Sequence, residues 1–241
     1  MELPDALAAE GIVCAVGAGG KKTAMAALAD ACDRATVTAT VRIPKAFADN
    51  VARIAVTDDP ASVVRDNDEW PLEVVPGAAD DSRHGGYENA TVAALRDVAP
   101  GPVLVKADGA RMRRFKAPGD REPQLPKNTD TVLAIASVHA VGEPLDEGMV
   151  HRPERVSNLT GRPEGETVTT GDVATVLGHE RGGMKDVPAG ATTVAVVNMV
   201  DDDALEATAR EVAAETLARS ERVDRVALTK LDEARVVDVI D

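Results

Sequence analysis

The stretch Gly11-Ile-Val-Cys-Ala-Val-Gly17-Ala-Gly-Gly-Lys21-Lys-Thr23 leaves the chain few folds to choose from. A short apolar run ends in a glycine-rich turn, and an alanine-rich segment of high helix propensity follows. That order predicts a strand, a tight turn and a helix whose N-terminus faces an anion. Gly17, Gly19 and Gly20 carry no Cβ to block close approach, so successive N–H groups can converge on phosphate oxygens. Lys21 and Lys22 add charge for those oxygens, and Thr23 offers a hydroxyl to a magnesium ion.

The match to the P-loop pattern G-x-x-x-x-G-K followed by Ser or Thr is incomplete. Ala15 stands at its first glycine and Lys22 at its hydroxyl position, so Thr23 comes one residue late. A plain strand-to-helix turn with solvated lysines accounts for the same residues. Cations are disfavoured in a first helical turn, where the macrodipole is positive, and two adjacent lysines there argue for a bound anion. The dinucleotide pattern G-x-G-x-x-G fails, because Lys22 occupies its third glycine.

The rest of the chain alternates strands with helices. Strands are expected over 35–41, 53–57, 72–75, 102–108, 131–136, 192–198 and 225–229, the last closing the sheet. Helices are expected over 21–32, from Asp59-Pro60, over 87–98, 172–177 and 201–219. Several strands are continuous apolar runs. The expected fold class is therefore α/β: a mostly parallel sheet with helices on both faces, P-loop NTPase-like. Its 241 residues suit one such domain over 1–241, with a small helical insertion at 138–188.

A net charge of −14 argues against nucleic acid as a partner. Abundant Asp, Arg in preference to Lys and only 2% aromatics resemble a protein from a high-salt cytoplasm, where screening relieves self-repulsion. Cys14 and Cys32 read as small buried hydrophobes within the first strand and helix. With no signal sequence and no apolar run of membrane length, the expectation is a soluble cytoplasmic protein with no membrane partner. A homodimer is compatible with this sequence.

In a parallel sheet, the loops at the strands' carboxyl ends share one edge, and three strand ends carry polar signatures. One is the turn at 17–23. Asp108 ends a buried apolar run, as a magnesium-holding carboxylate does, although Asp108-Gly109 also reads as a turn. Asn198-Met-Val-Asp201 has the N-x-x-D spacing that can read a guanine base, with Asp201 as a helix cap the alternative. Arg111, Arg113, Arg114 and Lys116 form a basic loop beside Asp108, suited to phosphate or to pairing with Asp120 and Glu122. His151-Arg152-Pro153-Glu154 is a compact polar group, a substrate contact or a capping turn.

As an ordered set, several of these motifs resemble the YqeC family of accessory proteins of selenium-dependent molybdenum hydroxylases. The residues are Val16-Gly-Ala-Gly-Gly-Lys21, Val103-Leu-Val-Lys-Ala-Asp-Gly-Ala-Arg111, Lys116-Ala-Pro118 with Glu122-Pro123, His151-Arg-Pro-Glu154, Gly182-Gly-Met-Lys185 and Val197-Asn-Met-Val-Asp201. Lys22 departs from the family's Thr or Ser, and Lys106 from its Glu before the Ala-Asp-Gly-Ala-Arg motif. The resemblance implies an NTP-binding protein in maturation of the molybdenum cofactor or selenium centre, with a hydroxylase or its cofactor-maturation proteins as partners.

Together these readings give a slow Mg-dependent NTPase using ATP or GTP. Lys21 and the loop amides would hold the phosphates, Asp108 and Thr23 the Mg2+, and Arg111 the charge on the transferring phosphoryl. Asn198 and Asp201 would face the base, and Arg113, Lys116, His151, Arg152 and Glu154 a second substrate. The alternatives are a transferase acting on a phosphorylated cofactor or selenium intermediate, and a non-catalytic carrier switched by nucleotide.

Overall fold

A computed structural model describes residues 1–241. In chain order the strands are β1 (Ile12–Gly17), β2 (Thr36–Ala39), β3 (Ile43–Pro44), β4 (Arg53–Val56), β5 (Leu72–Val75), β6 (Arg83–His84) and β7 (Val103–Lys106). They continue with β8 (Phe115–Lys116), β9 (Thr131–Ser137), β10 (Val150–His151), β11 (Thr192–Asn198), β12 (Arg225–Lys230) and β13 (Arg235–Ile240). The helices are α1 (Leu3–Ala6), α2 (Lys21–Ala31), α3 (Pro60–Arg65), α4 (Asn89–Leu95), α5 (Pro153–Thr160), α6 (Thr170–Gly178) and α7 (Asp203–Arg219).

Nine strands form the main sheet in the order β13-β12-β11-β9-β1-β7-β2-β5-β4. All run parallel except β13, which returns antiparallel along β12. The chain therefore does not close at 229, as the sequence suggested. A single 3-10 turn over Leu231–Glu233 reverses it into a last strand.

β1 lies between β7 and β9, and side chains alternate across it. Ile12, Cys14 and Val16 enter the core under α3–α7; Val13 and Ala15 enter the core under α1 and α2. Both faces are thus covered, which is why these strands are apolar without interruption. Within 138–188, α5 and α6 place Val156, Val173, Val176 and Leu177 in the first of these cores. Small residues suffice: α2 packs by Ala24, Met25, Leu28 and Ala29. Cys14 is fully buried, whereas Cys32 is only half-buried at the end of α2. No helix is long and apolar enough to cross a membrane.

Candidate functional site

The glycine turn links β1 to α2 at the carboxyl edge of the sheet, with the ends of β7 and β9 on either side. Gly17, Gly19 and Gly20 have φ of 91°, 82° and 143°. A Cβ on Gly17 would stand 2.2 Å from the Ile135 carbonyl oxygen, and one on Gly19 2.6 Å from that of Arg114. Glycine is required here by the protein's own backbone pressing on the turn. A Gly17→Ala variant is expected to lose about 2–3 kcal/mol of stability, read from its denaturation midpoint.

The loop amides face inward. Gly17 N–H donates to Asp108 Oδ2 at 2.8 Å, Ala18 N–H to the Ile135 carbonyl at 2.8 Å and Gly19 N–H to the Arg113 carbonyl at 3.1 Å. The donors remaining for an outside anion are the Gly20 amide and the first-turn amides of α2 at Lys21, Lys22 and Thr23, which a helix leaves without intrahelical partners.

Beneath the turn lies a charged cluster. Asp108 is 1% exposed, with the Lys21 ammonium 2.9 Å from Oδ1 and the Lys116 ammonium 2.9 Å from Oδ2. Lys21 approaches Oδ1 off the hydrogen-bond angle, so that contact is an ion pair. Its ammonium also donates to the Gly17 carbonyl. Lys116 donates to the Gly109 carbonyl at 2.6 Å and to Glu122 at 2.9 Å, and Arg152 reaches the same Glu122 oxygen at 2.6 Å. Lys106 donates to the carbonyls of Arg42 and Asp108, both at 2.8 Å. Lys185 binds the Gly119, Asp120 and Glu122 carbonyls and so pins the loop carrying Glu122.

Four cations, Lys21, Lys106, Lys116 and Arg152, therefore face two carboxylates, Asp108 and Glu122. Burial pushes the Asp108 carboxyl up, but Lys21 and Lys116 outweigh it and hold the pKa below the usual range. Glu122 falls to about 2 because Lys116 and Arg152 outweigh its burial. Burial lowers Lys21 despite Asp108, and burial with the nearby Lys21 lowers Lys106 to about 8. His151 is held near 4, by burial first and then by Arg152 and Lys116, so its imidazole is neutral at pH 7.

The other candidates are distributed around this cluster. The register of β10 on β8 sets His151 beside Lys116. Arg111 and Met112 form a left-handed pair, φ 46° and 64°, at the tip of the basic loop, with Arg111 in solvent. Arg113 and Arg114 hold the turn through their carbonyls, which accept from the Gly19 and Ser137 amides. None of Lys22, Arg111, Arg113 and Arg114 forms an ion pair. Glu154 points outward near Arg155, and Thr23 is half-buried in the first turn of α2.

Asn198 touches the turn in an unexpected way. Its Nδ2 donates to the Gly19 carbonyl at 2.9 Å, while its Oδ1 accepts from the Thr229 hydroxyl and the Leu231 amide. These bonds tie β11 and β12 to the turn. Asp201 lies apart, 41% exposed and paired with His139 at 3.0 Å and Lys230 at 3.8 Å. Sequence reasoning singled out neither Glu122, Lys106, Lys185 nor His139 as a site residue. For Glu122 and Lys185 the available signal was their place in the ordered motif set.

A small, partly open pocket of about 20 Å³ between Asp108, Lys116, Phe115 and Leu177 has room for one water. A nucleotide is far larger, so a ligand of that size would lie on the open edge above the turn.

Fold and cluster together define a parallel α/β protein with a buried, cation-rich centre at the carboxyl ends of its middle strands. The chain belongs to the YqeC family: the family model described as "YqeC protein" matches residues 13–154, more than half of its length. It is similar to the "Uncharacterized protein YqeC" of Escherichia coli (strain K12), 32% identical over 96 residues. That alignment covers 40% of this chain and 38% of the relative. No solved structure matches the chain.

Proposed function

We propose that this protein binds a nucleotide, ATP or GTP, on the edge above the glycine turn and hydrolyses it slowly while assisting maturation of a molybdenum hydroxylase in the cytoplasm. The observation that carries the nucleotide reading is the local cationic excess. In a chain of net charge −14, four buried or half-buried cations face two carboxylates, and four more cations around the turn have no partner. The natural counter-charge is a polyanion. The pathway and its protein partners rest on the family resemblance.

In this reading the phosphates meet the first-turn amides of α2 and Lys22, and draw the Lys21 ammonium from Asp108. Asp108 keeps Lys116, so no carboxylate is left bare. Arg111, at the strained loop tip, swings onto the transferring phosphoryl. His151, Arg152, Arg113 and Lys116 offer a second anionic group a place beside it. Magnesium fits the protein's own groups poorly. Both Asp108 oxygens lie against ammonium groups, and nowhere do three His, Cys, Asp or Glu side chains gather to hold a metal ion. The ion would travel on the nucleotide's phosphates, with Thr23 the nearest hydroxyl.

A second reading, a nucleotide-switched carrier without turnover, is favoured by the Lys21–Asp108 pair, because exchanging that partner for phosphate is a two-state change. Calorimetric titration with Mg-ATP and Mg-GTP in molar KCl tests both. Binding of one nucleotide that is lost in Lys21→Ala is the expected result, and turnover in the same samples separates enzyme from switch. Unchanged affinity in Lys21→Ala would overturn the site.

A further inference from the structure

The two edges of the main sheet are finished differently. β13, at one edge, carries a register shift opposite Leu228/Thr229, and its Asp238 is paired with Arg210 of α7. These are devices that discourage strand addition. At the other edge β4 is short and opens on the exposed Arg53, but it carries no register shift. Its Ile54 and Val56 are 38% and 59% exposed, and apart from Met1 and Met112 they are the only exposed large hydrophobic residues of the protein.

Hydrogen bonding on β4 fixes which groups face outward. Arg53 N–H donates to the Pro71 carbonyl and Thr57 N–H to the Val75 carbonyl. Odd-numbered residues thus turn their backbone groups to β5, and by alternation Ile54 and Val56 present N–H and C=O to the open edge. The residues with free backbone groups are the same two whose apolar side chains are exposed.

We propose that β4 pairs antiparallel with β4 of a second copy of this chain, about a two-fold axis at Ala55. A two-fold axis normal to the sheet preserves its faces, so the pairing must be centred on a residue. Ala55 is the centre that sets Ile54 opposite Val56 of the other copy, twice over. Each of those pairs exchanges two N–H···O bonds and covers one exposed side chain with another. Arg53 then stands opposite Thr57 of the other copy. The contact is self-complementary, as a two-fold interface requires. The net charge of −14 on each copy opposes it, so association strengthens with salt. This proposal is independent of the nucleotide reading.

Sedimentation in molar KCl should give twice the chain mass, with Val56→Lys weakening self-association by at least about tenfold. Val56 is exposed, so that variant keeps its fold, which circular dichroism verifies. The sharper arm is a cross-link in a Cys32→Ser background. Ala55 would face its own copy as a non-hydrogen-bonded pair with Cα atoms about 4.5 Å apart, inside the window of about 4.4–6.8 Å for a disulfide. Ala55→Cys should therefore oxidise to a covalent dimer, whereas Ile54→Cys, offset from its own copy, should not. A monomer at every concentration overturns the proposal. So does a dimer indifferent to Val56→Lys, or one cross-linked equally well through Ile54→Cys.

Discussion

Asp108→Ala lowers the unfolding free energy by about 3–5 kcal/mol, enough to leave much of the chain unfolded at ordinary temperature. The loss exceeds that of a surface ion pair because the remaining groups cannot reach water. Lys21 is 6% exposed and Lys116 3%; Asp108 is the one carboxylate paired with Lys21 and one of two, with Glu122, paired with Lys116. Asp108→Asn keeps the shape and an acceptor for Gly17 N–H but not the charge, and is expected to fall nearly as far. Lys21→Ala is much milder, since Asp108 retains Lys116 and the Gly17 amide. Urea titration of the three variants beside the parent gives the order directly. An Asp108→Ala protein within about 1 kcal/mol of the parent would show that water reaches the cluster. The same asymmetry makes Lys21, and not Asp108, the residue on which to test ligand binding.

The second large effect is set by pH and lies far from this cluster. Glu73, in β5, is 0% exposed and neither carboxyl oxygen has a hydrogen-bond partner. Its neighbours in register are Val37 and Ile54. Burial alone raises the pKa from an ordinary 4.5 to about 7. A folded pKa above the unfolded one means that the contribution of Glu73 is fully present below the unfolded value. It is lost as pH rises through about 7. By pH 8 the loss is about 3 kcal/mol, since each pKa unit is worth about 1.4.

Asp108 works in the opposite direction, because its lowered pKa gives stability that disappears in acid. Stability should therefore peak on the mildly acidic side of neutrality. Glu73→Gln is expected to flatten the alkaline limb, and Glu73→Leu to raise stability at pH 8 outright. Guanidinium melts across pH 5 to 8 in high salt, compared between parent and Glu73→Gln, isolate this group from general charge repulsion. Parallel curves for the two would sink the assignment.

The sheet was legible because apolar runs and turn residues agree. Residues 131–136 and 192–198 are largely apolar runs, 72–75 is one interrupted by Glu73, and each is a strand in the structure. β13 escaped because Asp238 interrupts its alternation and a single turn separates it from β12. Two-residue strands such as β8 and β10 have no periodicity to read; they exist because the loop after β7 folds back against β9 and α5.

That the glycine turn and Asp108 share one edge of the sheet was legible in the sequence; that β1 and β7 are neighbours and Lys21 pairs directly with Asp108 was not. Nor was the pairing of Lys116 and Arg152 on Glu122, because it depends on the path of a long loop. The sequence marks Gly17, Gly19 and Gly20 as a tight turn, and in the structure Gly17 and Gly19 admit the backbone of Ile135 and Arg114 of the protein itself. Asn198 was singled out for its spacing, and the structure shows it engaged on the glycine turn.

That last contact constrains synthesis. Asn198 bonds Gly19 across 179 residues of sequence, and its own carbonyl oxygen waits for Thr229 and Leu231. The beginning of the chain emerges from the ribosome long before the residues that hold its glycine turn in place. During translation β1 and α2 exist without their fastening, and the cationic centre below them is incomplete. The fastening of the turn is thus completed last, and only on chains extended past Leu231; a product ending before Asn198 carries every glycine and lysine of the turn without the bond that ties it to β11 and β12.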